Sequence, residues 1–137
     1  MITTKGRYAL RVMIDLAEHR DDARINLWQI CERTGISRKY LEAIATKLAQ
    51  AKLIDTSRGT HGGVKLSRAP QDYKIGEILE AMEETLAPVA CLKGEENDCP
   101  RANGCKTLPM WKEFNQVVHD FFYSRTLQDL LDGGEKK

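Results

Sequence analysis

"GISRKYLEAIATKLAQAKLIDTSRGTHGGVKLSR", residues 35–68, is the stretch on which the fold turns. Gly35 can take the left-handed backbone that stops a helix, and Ser37 is a natural N-cap for the next one. Beyond Ser37, Leu41, Ile44, Ala45 and Leu48 recur at steps of three and four. At 100° per residue they share one side of a helix, while Lys39, Glu42, Ala43, Thr46 and Gln50 fall on the other. The spacing then changes. Leu53–Ser57 and Gly63–Ser67 read as two short strands around "RGTHGG", where Gly59, Gly62 and Gly63 permit a tight tip. A helix with a charged outer face thus runs directly into a thin hairpin.

Upstream, residues 27–34, "LWQICERT", form a short helix with Leu27, Ile30 and Cys31 on its apolar face. Cys31 is expected in the core, as a small hydrophobe. Two helices joined through Gly-Ile-Ser make the helix-turn-helix pattern. Residues 4–19 form an earlier helix with Ala9, Val12, Met13, Leu16 and Ala17 inward and Thr3 or Thr4 as its cap. "INL" is long enough for one edge strand. Outward charge and small side chains are what a helix needs to enter a major groove. A basic hairpin tip carrying Arg58 and His61, with Lys65 and Arg68 behind, suits a minor groove. An ordinary helical hairpin with a solvated face would show the same periodicity.

Downstream, Ile75, Ile78, Leu79 and Met82 give an amphipathic helix with Glu77, Glu80, Glu83 and Glu84 outward. An acidic face is repelled by phosphate and should point away from nucleic acid. Pro88 ends it and leads into "CLKGEENDCPRANGC", residues 91–105, which gathers Cys91, Cys99 and Cys105 in polar sequence. Pro109 can start the last long helix. Met110, Trp111, Phe114, Val117, Val118, Phe121 and Phe122 form one stripe along it, with little chain left to cover them. The stripe is therefore expected to join two copies of the chain. Thr126 caps a final short helix, "LQDLL".

The 137 residues suit one small domain with an appendage. Residues 1–70 hold 13 Lys/Arg against 7 Asp/Glu, while residues 71–137 hold 8 against 13. A basic front and an acidic back suggest that the front meets a polyanion. No apolar run approaches the ~20 residues a membrane helix needs. The first residues lack the apolar stretch of a signal peptide. A cytoplasmic, non-membrane protein with reduced thiols is expected. The cysteine spacing lacks Cys-x-x-Cys, and His19, His61 and His119 lie on separate elements, so no redox or hydrolytic enzyme is indicated.

In order and spacing, "TKGRYAL" (4–10), "GISRKYLE" (35–42), "RGTHGG" (58–63), "LAPVAC" (86–91), the three cysteines and "MW…TLQDLL" resemble the IscR/NsrR type of bacterial winged-helix transcription regulators. The resemblance implies a mainly α fold with a small β-hairpin. It divides the chain into a winged helix-turn-helix domain (1–87), a cysteine-bearing sensor loop (88–107) and a dimerisation helix with its tail (108–137). It further implies a 2Fe–2S or 4Fe–4S iron–sulfur cluster held by Cys91, Cys99 and Cys105, which accords with thiolates being the usual ligands of such clusters. The family's fourth-ligand positions are Leu108 and Tyr8 here, so that ligand does not carry over. Glu95, Glu96, Asp98, His119, a partner residue or an exogenous thiol stay open for it. Zinc on the same thiolates and cluster-free control by thiol redox or a protein partner are the other readings.

On this reading Arg38, Lys39, Glu42, Ala43 and Thr46 face a major groove, and Arg58 and His61 enter a minor groove. Lys5, Arg7 and Lys65 touch phosphates. Trp111, Phe114, Val118, Phe121 and Phe122 pair two subunits in a homodimer on a palindromic, double-stranded DNA operator.

Overall fold

The helix read at 4–19 runs from Thr4 to Glu18 (α1) in the computed structural model, which describes residues 2–21, 24–57, 62–83, 86 and 106–133. Thr3 caps it by accepting from the Gly6 amide, and the same hydroxyl donates to Glu83 Oε1 at 2.7 Å. The Thr3 amide donates to that oxygen as well, also at 2.7 Å, so the start of α1 is tied to a residue eighty positions away. Ala9, Val12, Met13 and Leu16 are fully buried, as their spacing requires. Asp15 is buried among them at 7% exposure. Arg33 grips both of its carboxylate oxygens, at 2.8 and 2.9 Å, which satisfies a charge that would otherwise be costly to enclose.

Asn26 opens α2 (Leu27–Thr34) with a reciprocal cap. Its side chain accepts from the Trp28 and Gln29 amides, and the Gln29 side chain accepts from the Asn26 amide. Gly35 ends the helix at φ 77°, a conformation that glycine adopts without steric cost. Ile30 is fully buried, while Cys31 is half-buried against the core instead of enclosed in it. Ser37 caps α3 (Arg38–Gln50), which buries Leu41, Ile44, Ala45 and Leu48. Each large side chain of that set contributes about 2 kcal/mol on leaving water.

β1 (Ile54–Ser57) and β2 (Gly63–Leu66) pair antiparallel from Ile54↔Leu66 to Ser57↔Gly63. Ile25 adds one bridge on the other edge, exchanging both backbone hydrogen bonds with Val64 at 2.8 and 2.9 Å. The base of this hairpin is organised by Tyr73, which is fully buried. Its hydroxyl donates to the Leu53 carbonyl at 2.6 Å and accepts from the amides of Ser67 and Arg68 at 2.9 and 3.1 Å.

A 3₁₀ turn at Pro70–Asp72 leads to α4 (Ile75–Met82), whose Ile75, Ile78, Leu79 and Met82 complete the core. Three of the four glutamates expected outward are engaged by other elements, and Glu84 lies outside the described residues. Arg68 pairs with Glu77 at 3.0 Å, Tyr123 donates to Glu80 at 2.7 Å, and Glu83 holds Thr3. Arg68, read as part of the basic hairpin, is thereby turned toward α4.

α5 (Leu108–Tyr123) has Met110, Phe114, Val117 and Phe121 exposed. Phe122 and Tyr123 instead pack on the core, one helical step around from the exposed row. A Cβ on Gly76 would lie 2.2 Å from the Tyr123 ring, so α4 and α5 touch where α4 has no side chain. α6 (Leu127–Leu131), capped by Thr126, folds back: Leu127 is fully buried, its amide donates to the Tyr73 carbonyl at 3.0 Å, and Thr126 bridges Lys74.

Candidate nucleic-acid interface

Between the outer face of α3, the start of α2 and the hairpin lies an open cleft of about 770 Å³. Arg38, Glu42, Thr46 and Gln50 line it from α3, Thr56, Ser57 and Gly62 from the hairpin, and Asn26 and Trp28 from α2. Burial of Leu41, Ile44, Ala45 and Leu48 leaves only the opposite side of α3 available, and Arg38, Lys39, Glu42, Ala43 and Thr46 are all exposed there. Arg38 Nε pairs with Glu42 Oε1 at 3.0 Å across one helical turn. Both side chains are more than half exposed, and such a pair is worth about 0.3–0.5 kcal/mol. A bidentate contact to a base contributes about 1–3 kcal/mol of discrimination, so the ion pair orients Arg38 without withholding it. Thr46 donates its hydroxyl to the Glu42 carbonyl at 2.8 Å, leaving the oxygen as an acceptor in the cleft.

Lys65 is exposed on β2, and Arg7 is exposed on α1, with its guanidinium 3.3 Å from the Thr4 hydroxyl. Lys5 is half-buried. Arg58 and His61 lie outside the described residues, as do Cys91, Cys99 and Cys105. Among the described residues no group of three or more His, Cys, Asp or Glu is placed to hold a metal ion. The two inherited fourth-ligand positions carry no donor of the usual kind. Leu108 is buried, and Tyr8 packs edge-on against Tyr40 with ring centroids 5.5 Å apart. His119 stacks on Tyr123 at 4.5 Å, with its Nδ1 3.6 Å from Asp120. The donor set the sequence offers, three soft thiolates, fits an iron–sulfur cluster in kind.

Along α5, Trp111 and Phe114 meet edge to face at 6.4 Å, and the Arg125 guanidinium lies 4.8 Å over Phe121. Val118 is half-buried. Tyr123 has its phenol held well above the ordinary range, first by burial and then by its hydrogen bond to Glu80.

Trp28, Asn26, Thr56 and Ser57 were not singled out by sequence reasoning. For Trp28 a signal existed: it lies two positions from buried Ile30, which places it on the opposite side of α2.

A three-helix head with a two-stranded hairpin behind an exposed third helix defines a winged helix-turn-helix DNA-binding protein. The family model of Rrf2, an iron-dependent transcriptional regulator, matches residues 2–133. The chain is 37% identical over 131 residues to the protein rrf2 of Nitratidesulfovibrio vulgaris, covering 95% of this chain and 86% of that protein. It is 34% identical over 134 residues to the HTH-type transcriptional regulator IscR of Vibrio campbellii, covering 98% and 79%. Among solved structures it is similar to T. potens IscR, with a TM-score of 0.76 and 31% identity over 98% of this chain and 88% of that one. CymR, the global cysteine regulator of B. subtilis, gives a TM-score of 0.75 and 31% identity over 95% of each chain. The chain belongs to the Rrf2 family of transcriptional regulators, and no enzymatic role is needed to account for it. No helix among the described residues is long and apolar enough to cross a membrane.

Proposed function

We propose that this regulator acts as a homodimer that reads a palindromic operator and senses iron, redox, nitric oxide or sulfur status through an iron–sulfur cluster. Residues 1–87 form the reading head, 88–107 the sensor loop and 108–137 the pairing helix and its tail. Arg38, Lys39, Glu42, Ala43 and Thr46 enter the major groove, Arg58 and His61 the minor groove, and Lys5, Arg7 and Lys65 rest on phosphates. Trp111, Phe114, Val118 and Phe121 pair the two subunits, with Phe122 bracing the stripe from the core side. Cys91, Cys99 and Cys105 are the ligands of a 2Fe–2S or 4Fe–4S cluster, which supplies an oxidisable, ligand-exchanging centre when bound.

The observation that supports the DNA reading is the cleft that α3 and the hairpin share, lined from the outer face of α3 by Arg38, Glu42, Thr46 and Gln50, with Lys39 and Ala43 exposed on the same helix outside that lining. The protein's own contribution to signalling is geometric. Residues 83–107 run between α4, the last helix of the head, and α5, which carries the exposed stripe. A change of ligation there can act on DNA affinity only if the two DNA-binding states differ in their contacts to it.

A cluster-free regulator controlled by thiol redox or a protein partner is the second reading. It is favoured by Leu108 and Tyr8, which offer no fourth ligand. Anaerobic purification with a visible spectrum, iron, sulfide and zinc counts, and DNA binding before and after removal of the metal separates the two. Cys99→Ala should abolish the cluster absorbance. A colourless anaerobic preparation that binds DNA normally favours the second reading, and zinc without sulfide would mark a zinc site.

A further inference from the structure

Trp28 is unusual in its setting. Its residue is 51% exposed, although α2 has an apolar face on which an aromatic ring could be enclosed. It borders the same cleft as Arg38 and Thr46. We infer that Trp28 is a DNA-backbone contact: its indole lies flat on the deoxyribose of the strand flanking the major groove and donates its ring N–H to a phosphate oxygen. The inference rests on the DNA-binding reading and deepens it.

Three observations support it. The chemistry is matched, because an indole joins an apolar face to a single donor, and a sugar–phosphate unit joins an apolar ring to an acceptor. The position is continuous with the proposed interface, since the first helix of a helix-turn-helix pair crosses the backbone beside the groove that the second one enters. The mount is rigid: the Trp28 amide donates to Asn26 Oδ1 at 3.0 Å within the reciprocal Asn26–Gln29 cap. Little backbone freedom is then lost when the indole engages, and a preorganised contact gives more affinity. A neutral side chain neutralises no phosphate, so its contribution should not depend on salt as that of lysine or arginine does.

The test uses the full chain and two labelled duplexes, one of mixed sequence and one enriched from a random pool by the wild-type protein. Half an indole carries about 100 Å² of apolar surface, and burying it predicts that Trp28→Ala weakens binding about seventyfold. The loss should be equal on both duplexes, and the slope of log affinity against log salt should stay unchanged. Trp28→Phe should recover part of the loss. Lys65→Ala, by contrast, should reduce the salt slope by about one. Quenching of tryptophan emission on adding either duplex should vanish in Trp28→Phe, which leaves Trp111 as the one remaining tryptophan of the chain. The half-exposed site predicts a melting temperature near that of the wild type for both variants, which separates contact loss from misfolding. Wild-type affinity in Trp28→Ala, with Arg38→Ala weakened on the enriched duplex, overturns the inference and leaves the DNA reading intact. A loss confined to the enriched duplex would make Trp28 a base-reading residue and also overturns it. A wild-type protein that binds neither duplex sinks both.

Discussion

Replacing Tyr73 by Phe keeps the ring and removes one oxygen from the base of the hairpin. That oxygen serves three backbone groups: the Leu53 carbonyl at 2.6 Å and the amides of Ser67 and Arg68 at 2.9 and 3.1 Å. They do not lose equally. Ser67 is exposed, so its amide can turn to water. Leu53 is 2% exposed, and its carbonyl stays without a replacement donor. One dry unsatisfied acceptor costs about 1–3 kcal/mol and a lost ordinary hydrogen bond about 1, so the variant should be destabilised by about 2–4 kcal/mol. For a chain of this length that corresponds to a fall in melting temperature of roughly 10 °C. Circular dichroism melts at one fixed protein concentration measure it, because the proposed pairing of two copies makes stability depend on concentration. DNA affinity should fall as well on the proposed reading, because β1 and β2 lose their shared anchor beside the cleft that they line with α3. A drop smaller than about 2 °C would mean that the three groups find partners elsewhere, and the account of Tyr73 as organiser would be wrong.

Gly76→Ala should destabilise although alanine is the better helix former by about 1 kcal/mol, because the new methyl would meet the Tyr123 ring 2.2 Å away; in urea melts the same change should cost far less when made in a Tyr123→Ala background. The phenol of Tyr123 is raised in the folded chain, so its contribution is complete below the ordinary phenol range near ~10 and is lost as pH climbs above it. Urea midpoints of the wild type and Tyr123→Phe compared across alkaline pH check this, and parallel curves would contradict it. Lys39→Ala and Arg58→Ala should each weaken binding to a selected operator by about 1–3 kcal/mol if the side chain reads a base edge, and equal weakening on mixed-sequence DNA would assign it to phosphate instead.

The elements that periodicity governs were legible in advance. α1 and α3 bury the side chains their three- and four-residue steps select, and Gly35 and Ser37 stop and start helices where local chemistry says they should. What escaped was set by partners distant in the chain. Glu77, Glu80 and Glu83 sit on the outer side of α4 by spacing, yet Arg68, Tyr123 and Thr3 reach them from nine to eighty positions away. The Tyr73 hydroxyl network is equally invisible to a local window. Phe122 shares the helical stripe with Phe121 on paper, but one step of rotation decides which ring meets the core. In the candidate site, the outer face of α3 followed from what had to be buried. Trp28 did not, because an outward aromatic ring has no local signature beyond its distance from Ile30.

The lateral meeting of α4 and α5, made by Gly76 against the Tyr123 ring and by Tyr123 with Glu80, has a consequence for the cysteines. The stretch that carries the cysteines departs from one helix and returns to its neighbour, so its two ends are set by the α4–α5 contact and by Glu83, which holds Thr3. Lengthening such a closed span by two residues changes its closure entropy by only about 0.1 kcal/mol. The interval from Cys91 to Cys99 can therefore drift in evolution with hardly any thermodynamic penalty to the head. On the proposed cluster reading, selection on that interval acts through what the thiols bind.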